Sequence, residues 1–162
     1  MILDTVRFGQ VNINEDSIIT FDDGIYGFED LKRFAIINCT ETEPIYWLQA
    51  VDDGDISLPI IDPFVIKEDY VIDIDDKELE SIGTQKEEDL IVYNVVVLPE
   101  DITKITVNLV APIIINVSNN KAKQYILGLE QDTSVQYPAF TPLMNYYKEA
   151  EKGAGTDKEN RN

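Results

Sequence analysis

Short runs of apolar and β-branched residues recur along the chain, with polar turns between them. Residues 11–14 and 70–75 alternate apolar and polar positions, which is typical of strands with one buried face. Continuous apolar runs rich in Val, Ile and Thr, which favour a pleated surface, occupy residues 17–21, 34–37, 45–51, 56–61, 90–97, 105–117 and 124–129. Asp23-Gly24, Asp53-Gly54 and Asn119-Asn120 separate some of these runs and suit tight turns. The pattern predicts a mostly β protein, an antiparallel barrel or sandwich.

Three stretches favour short helices. Residues 28–34 place apolar side chains at helical spacing, residues 76–82 begin with acids and end before Gly83, and residues 141–151 begin with Thr-Pro. Residues 152–162 contain no large apolar side chain, and we expect them to be disordered. The predicted organisation is a single β domain over residues 1–147, and then the end of a C-terminal helix and a disordered polar tail over 148–162.

Charge narrows the classes of function. The 162 residues include 13 Lys and Arg, 31 Asp and Glu and no His, for a net charge of −18. Catalytic arrangements built on histidine are excluded, and direct binding of nucleic acid is disfavoured because it depends on cations that neutralise phosphates. Residues 52–89 hold 14 acids and 3 bases, which is a net −11. Such a run is either a solubilising face or a surface for a basic partner.

The cysteine content and the N-terminus of the chain indicate where the protein is located in the cell. Cys39 is the single cysteine, so no internal disulfide forms, and the N-terminus has no signal-peptide pattern. We therefore expect a soluble, cytoplasmic protein that does not bind membranes.

The acids at residues 73–76 resemble the start of a calcium loop, but Lys77, Glu78 and Thr84 stand where that loop needs other residues. We expect no catalytic residue, no cofactor and no metal.

Several phrases together resemble the flagellar assembly factor FliW family. They are, in order, residues 21–29 (FDDGIYGFE), 47–51 (WLQAV), 61–64 (IDPF) with Asp69-Tyr70, 107–113 (VNLVAPI) with Ile115-Asn116, and Gln124. Each phrase is weak alone, but their order and spacing across residues 8–129 are specific. Ile25-Tyr26 departs from the family, which usually has Leu-Pro between the two glycines.

The resemblance implies a small antiparallel β-barrel-like domain without enzymatic activity. Proteins of this family bind the translational regulator CsrA, antagonise it allosterically and so relieve repression of flagellin mRNA. They also bind flagellin, which competes as the second partner.

A hypothesis for the CsrA-binding face rests on the acidic stretch. Acids there would complement a basic surface, and an aromatic side chain would supply a rigid anchor. The candidate partner-binding residues are Asp69, Tyr70, Asp73, Asp75, Asp76, Glu78 and Glu80. The alternative is a solvated edge with Tyr70 in the core.

The roles of three further residues stay open from the sequence alone. Trp47 belongs either to the core or to a binding surface, and Asn108 and Asn116 either cap backbone groups or face a partner. Two rival functions remain. A carbohydrate- or ligand-binding β-sandwich would present aromatics in a groove, and a hydrolase would need two facing carboxylates.

Overall fold

The computed structural model describes residues 1–83, 86–128 and 134–160. Eleven strands are β1 (Ile2–Thr5), β2 (Gly9–Asn12), β3 (Ile19–Phe21), β4 (Arg33–Asn38), β5 (Tyr46–Ala50), β6 (Ser57–Ile61), β7 (Leu90–Val97), β8 (Thr106–Val107), β9 (Ile113–Asn116), β10 (Lys121–Gln124) and β11 (Tyr137–Pro138). The helices are α1 (Pro63–Ile66), α2 (Asp76–Leu79) and α3 (Phe140–Asn160).

Seven strands close a barrel in the order β3, β4, β5, β6, β7, β9 and β10. Neighbours are antiparallel except at the closure, where β10 runs parallel to β3 and pairs Lys121 with Thr20 and Ala122 with Phe21. The mostly β, barrel-like fold predicted from the sequence is therefore confirmed.

The barrel interior is filled by alternate residues of its strands. Phe21 and Phe34 pack edge to face with ring centroids 5.3 Å apart, and Leu48, Ile60 and Ile113 are fully buried beside them. Because successive side chains of a strand point to opposite faces, the intervening residues pack outside the barrel.

A second apolar cluster covers one outer face of the barrel. Trp47, Ile61 and Leu109 are buried there against Ile66 of α1 and Leu143 of α3. The β1–β2 hairpin covers another part of the wall, where Leu3 and Ile13 pack on Ala35. Strands β8 and β11 extend the sheet beside the end of β7.

The turn predictions hold. Asp53-Gly54 joins β5 to β6, and Asn119-Asn120 joins β9 to β10 with a positive φ of 57° at Asn120. Gly24 has a φ of 68°, a conformation that L side chains resist. Strand β6 ends before Asp62, whose side chain accepts a hydrogen bond from the Phe64 N–H and so caps the start of α1.

Some element predictions were wrong. Residues 28–34 form turns and the start of β4 rather than a helix, because Gly27 takes a φ of 91° and Ile25 bridges to Phe28. Residues 70–75 have no ladder partner among the described residues and are not a strand. The run 105–117 is split between β8 and β9.

At the C-terminal end the boundaries shift. The last barrel strand is Lys121–Gln124 instead of 124–129, whose final residue lies outside the described residues. Helix α3 spans Phe140–Asn160 and so extends beyond the predicted 141–151, while residues 161–162 lie outside the description. The disorder expected for residues 152–162 stays a prediction.

Candidate functional site

Residues 70–83, here the covering segment, lie across the outer face of β7 and β9. Ile72 and Ile74 are half-buried and pack against the cluster that contains Ile114, Leu90 and Val92. The alternation that predicted a strand is thus produced by a segment that buries every second side chain on a sheet face. It ends in α2, a 3-10 turn over Glu80–Ile82, and Gly83 in the left-handed conformation.

Hydrogen bonds attach the covering segment to the barrel at three positions along its length. The Tyr70 hydroxyl donates to the Leu109 carbonyl at 2.6 Å, and the Tyr125 hydroxyl donates to the Glu78 carbonyl at 3.2 Å. Near the end of the segment, the side-chain amides of Asn116 and Asn119 donate to the Ile82 carbonyl at 2.9 and 3.0 Å. The backbone that carries the acids is therefore fixed relative to the sheet.

A groove of about 1000 Å³, here the acidic groove, lies between the covering segment and β7. Apolar side chains from both sides line it, and exposed Asp76, Glu80 and Glu87 stand at its rim. Lys86 also lines it and has an interaction partner of its own. Because the acidic groove has apolar walls and an anionic rim, it suits a ligand that combines apolar and cationic groups.

The seven binding residues predicted from the sequence differ in their exposure to solvent. The six acids Asp69, Asp73, Asp75, Asp76, Glu78 and Glu80 are exposed along or beside the covering segment. Of these, Asp76 and Glu80 line the acidic groove. Tyr70 is only 5% exposed, so the expectation of a protruding aromatic anchor at this position is corrected: its hydroxyl is used to bond Leu109.

Two of these side chains have perturbed ionisation. Lys67 donates a 2.8 Å hydrogen bond to Asp69 and, with its charge, lowers the pKa of that carboxyl. Burial raises the pKa of the Tyr70 phenol, an effect that a hydrogen bond from the Asn94 amide partly opposes. Asp69 therefore presents a paired charge, whereas Tyr70 stays a neutral part of the core.

The exposed aromatic residue at this place is Phe64, on the first turn of α1. Its ring lies 6.0 Å from the ring of Tyr70 and is 46% exposed. Sequence reasoning did not identify Phe64 as an exposed residue. An N-cap followed by Pro at the first helical position was the available signal for a helix turn there.

Phe64 also borders a second groove of about 480 Å³, here the aromatic groove. Tyr46 and Tyr93 meet there with ring centroids 5.9 Å apart, and Tyr146 of α3 closes one side. Burial, reinforced by Tyr46 and by the charge of Asp62, raises the pKa of the Tyr93 phenol. The two grooves share Phe64, Leu90 and Val92.

The remaining polar and aromatic candidates are structural. The Asn108 side chain accepts a hydrogen bond from the Val110 N–H, and the Asn116 side chain accepts one from the Ser118 N–H. Both side chains therefore cap backbone groups. Trp47 is buried, with its indole N–H donating to the Thr42 hydroxyl and the Arg7 guanidinium 4.0 Å from the ring centroid.

Within residues 1–83, 86–128 and 134–160, the acids and Cys39 form no group of three or more side chains able to hold an ion. No helix in those ranges has the length and apolar character needed to cross a membrane.

Comparison with known proteins identifies the family. The model of the family described as "FliW protein" matches residues 2–139. The chain belongs to the FliW family. It is 41% identical over 138 residues to a flagellar assembly factor FliW of Ruminiclostridium cellulolyticum, covering 85% of this chain and 93% of the relative.

Further matches agree with this assignment. A flagellar assembly factor FliW of Thermoanaerobacter pseudethanolicus is 42% identical over 151 residues, covering 93% of this chain and all of the relative. A crystal structure of the flagellar assembly factor FliW superimposes with a TM-score of 0.79 at 32% identity, covering 86% of this chain and 97% of that one. The chain is thus a FliW-type flagellar assembly factor, and its closed barrel contradicts the sandwich architecture of the ligand-binding alternative.

Proposed function

We propose that this FliW protein is a cytoplasmic regulator that works by protein recognition and has no enzymatic activity. It binds CsrA, antagonises it allosterically and relieves repression of flagellin mRNA, while flagellin binds the FliW protein as the competing partner. The observation that supports this most directly is the acidic groove, which places exposed carboxylates around an apolar channel on a protein of net charge −18.

Electrostatics provide the reason for choosing a basic regulator. A protein that holds RNA presents cationic surface, and complementary charge accelerates the encounter of two proteins. At physiological salt the field of the acids decays over about 8 Å, so the acids nearest the docked partner dominate. Asp76, Glu80 and Glu87, at the rim of the apolar channel, are the acids we assign to that contact.

The neighbouring candidate acids have a supporting role in this proposal. Asp73, Asp75 and Glu78 are exposed on the same covering segment, and Asp69 precedes it as the partner of Lys67. They contribute to the anionic field without lining the channel. Tyr70 acts from the core by holding the segment in place.

Titration calorimetry with purified CsrA tests the proposal. The triple variant Asp76→Lys, Glu80→Lys and Glu87→Lys should bind about tenfold more weakly or worse, with a shallower dependence of affinity on salt. The control variant Asp16→Lys, Asp22→Lys and Asp30→Lys makes the same change in net charge with exposed acids that line neither groove. Equal affinities of the two folded variants would remove the groove from the interface.

A mixing experiment tests the regulatory cycle. The FliW protein should dissociate a preformed complex of CsrA with RNA, and added flagellin should restore that complex. Persistence of the CsrA–RNA complex at saturating FliW protein would contradict the antagonism, and lack of restoration would contradict competition by flagellin.

A further inference from the structure

The barrel has an incomplete seam between β6 and β7. These strands pair at two positions only, Ile60 with Val95 and Ile61 with Asn94. Strand β6 then ends, because Asp62 caps α1 and Pro63 has no N–H to continue the ladder. Among residues 1–83, 86–128 and 134–160, the first half of β7 therefore has β9 on one side and no strand on the other.

The register shows which backbone groups face this open side. The Val117 N–H donates to the Asp89 carbonyl, and the same register pairs Ile91 with Ile115 and Tyr93 with Ile113. Hydrogen-bonded pairs alternate in an antiparallel ladder, so Ile91 and Tyr93 bond to β9. Leu90 and Val92 direct their backbone groups away from β9.

One of those four backbone groups is hydrogen-bonded, and the other three have no hydrogen-bond partner among the described residues. The Leu90 N–H donates to the Glu87 carbonyl. In the ranges that the structure describes, no group bonds the Val92 N–H, the Val92 carbonyl or the Leu90 carbonyl on the open side. Together they form one donor between two acceptors, which is the hydrogen-bonding pattern that an added strand completes.

Both grooves border this edge. Leu90 and Val92 line the acidic groove and the aromatic groove alike, and Phe64 stands between the two. Successive side chains of a strand point to opposite faces. A segment paired with Val92 would therefore place alternate side chains in the acidic groove and in the aromatic groove.

We propose that the partner of this FliW protein binds by adding one extended segment to the open edge of β7 at Leu90–Val92. The segment has apolar side chains in the two grooves and Lys or Arg at the flanks. This inference rests on the proposed function, since it specifies how the protein partner is held.

Charge decides in favour of a basic partner over a second copy of this chain. Asp62 borders the aromatic groove, and Asp76, Glu80 and Glu87 stand around the acidic groove. A second copy would bring its own charge of −18 against these acids and be repelled. A cationic segment gains both the backbone hydrogen bonds and the charge contacts.

Amide hydrogen exchange read residue by residue by NMR tests the inference. In the free protein the Val92 amide should exchange quickly, and those of Ile91 and Tyr93 slowly. Saturation with CsrA, verified by calorimetry on the same sample, should slow exchange at Val92 about tenfold or more. Unchanged exchange at Val92 in the saturated complex overturns the strand addition and leaves the proposed function standing, whereas failure of CsrA to bind overturns both.

A pair of variants tests the same edge by affinity. Val92→Pro removes the outward N–H, which bonds nothing in the described structure, and should weaken CsrA binding about tenfold or more. Val92→Ala shortens the side chain but keeps the N–H, and should change the affinity only a few-fold. Equal affinities of the two variants would contradict the proposal, and the exchange measurement on the unmodified protein decides the matter if Val92→Pro fails to fold.

Discussion

The Tyr70 hydroxyl donates a 2.6 Å hydrogen bond to the carbonyl of Leu109, which lies 39 residues further along the chain. The side-chain amide of Asn94 donates to the same hydroxyl at 3.3 Å and to the Asn108 carbonyl at 2.8 Å. These bonds connect the start of the covering segment to β7 and to the loop after β8. The acidic groove therefore depends on a polar contact inside the core.

Removing this hydroxyl should cost stability. In Tyr70→Phe the buried Leu109 carbonyl loses its donor, and we expect the free energy of unfolding to fall by about 1–2 kcal/mol. Urea denaturation followed by circular dichroism measures the change. Tyr26→Phe, at a side chain that is 58% exposed, is the control and should leave stability unchanged. A Tyr70→Phe protein as stable as the unmodified one would show that the contact contributes nothing.

Stability should decline at alkaline pH. Burial is the main cause that raises the pKa of Tyr70, Tyr93, Tyr125 and Tyr147 in the folded protein. In the unfolded chain these phenols ionise near pH 10, so between the unfolded and folded pKa values the folded state binds more protons. The free energy of unfolding is therefore constant with respect to these groups below about pH 9 and falls as pH rises through 10.

Urea titrations at pH 8, 9, 10 and 10.5 measure this decline, with tyrosinate absorbance recorded in parallel. The decline should be smaller in Tyr70→Phe, which lacks one of these four phenols. A stability that does not change between pH 9 and 10.5 would contradict the assignment of these tyrosines as ionising less readily in the folded state.

Two glycines with similar φ angles should differ in their tolerance of a side chain. Gly24 has a φ of +68°, and a Cβ there would lie 2.5 Å from the Glu29 carbonyl oxygen. Gly9 has a φ of +65° with no atom within 4 Å of an added Cβ. We expect Gly9→Ala to cost about 1 kcal/mol from backbone strain, and Gly24→Ala to cost more because the clash is added.

Thermal and urea unfolding of the two alanine variants measure this difference. Since both substitutions introduce the same methyl group at nearly the same φ, the difference between them isolates the contact with Glu29. Equal losses would mean that the turn after β3 shifts to make room at no cost.

The strands were predictable where local sequence and tertiary environment agree. The run 90–97 is β7 with its bounds unchanged, because most of its residues have high β propensity and its side chains pack against apolar clusters on both faces of the wall. The glycine and asparagine turns were predictable because positive φ restricts the residue type.

The covering segment shows where periodicity is insufficient. Alternating burial at residues 70–75 arises equally from a strand in a ladder and from an extended segment laid on a sheet. Only the absence of a hydrogen-bonding neighbour in the described fold distinguishes the two, and no local sequence feature encodes it. Similarly, the exposure of Phe64 and the burial of Tyr70 depend on where α1 and β8 pass, which is a property of the whole chain.

The parallel pairing of β10 with β3 has a consequence for biosynthesis. The Tyr26 N–H donates to the Gln124 side chain across 98 residues of sequence, next to that closure. While the chain emerges from the ribosome, the edge of β3 that later pairs with β10 stays unpaired until β10 has been translated. Because pairing across such a separation is entropically costly and slow, nascent chains are exposed to premature association until the last barrel strand arrives.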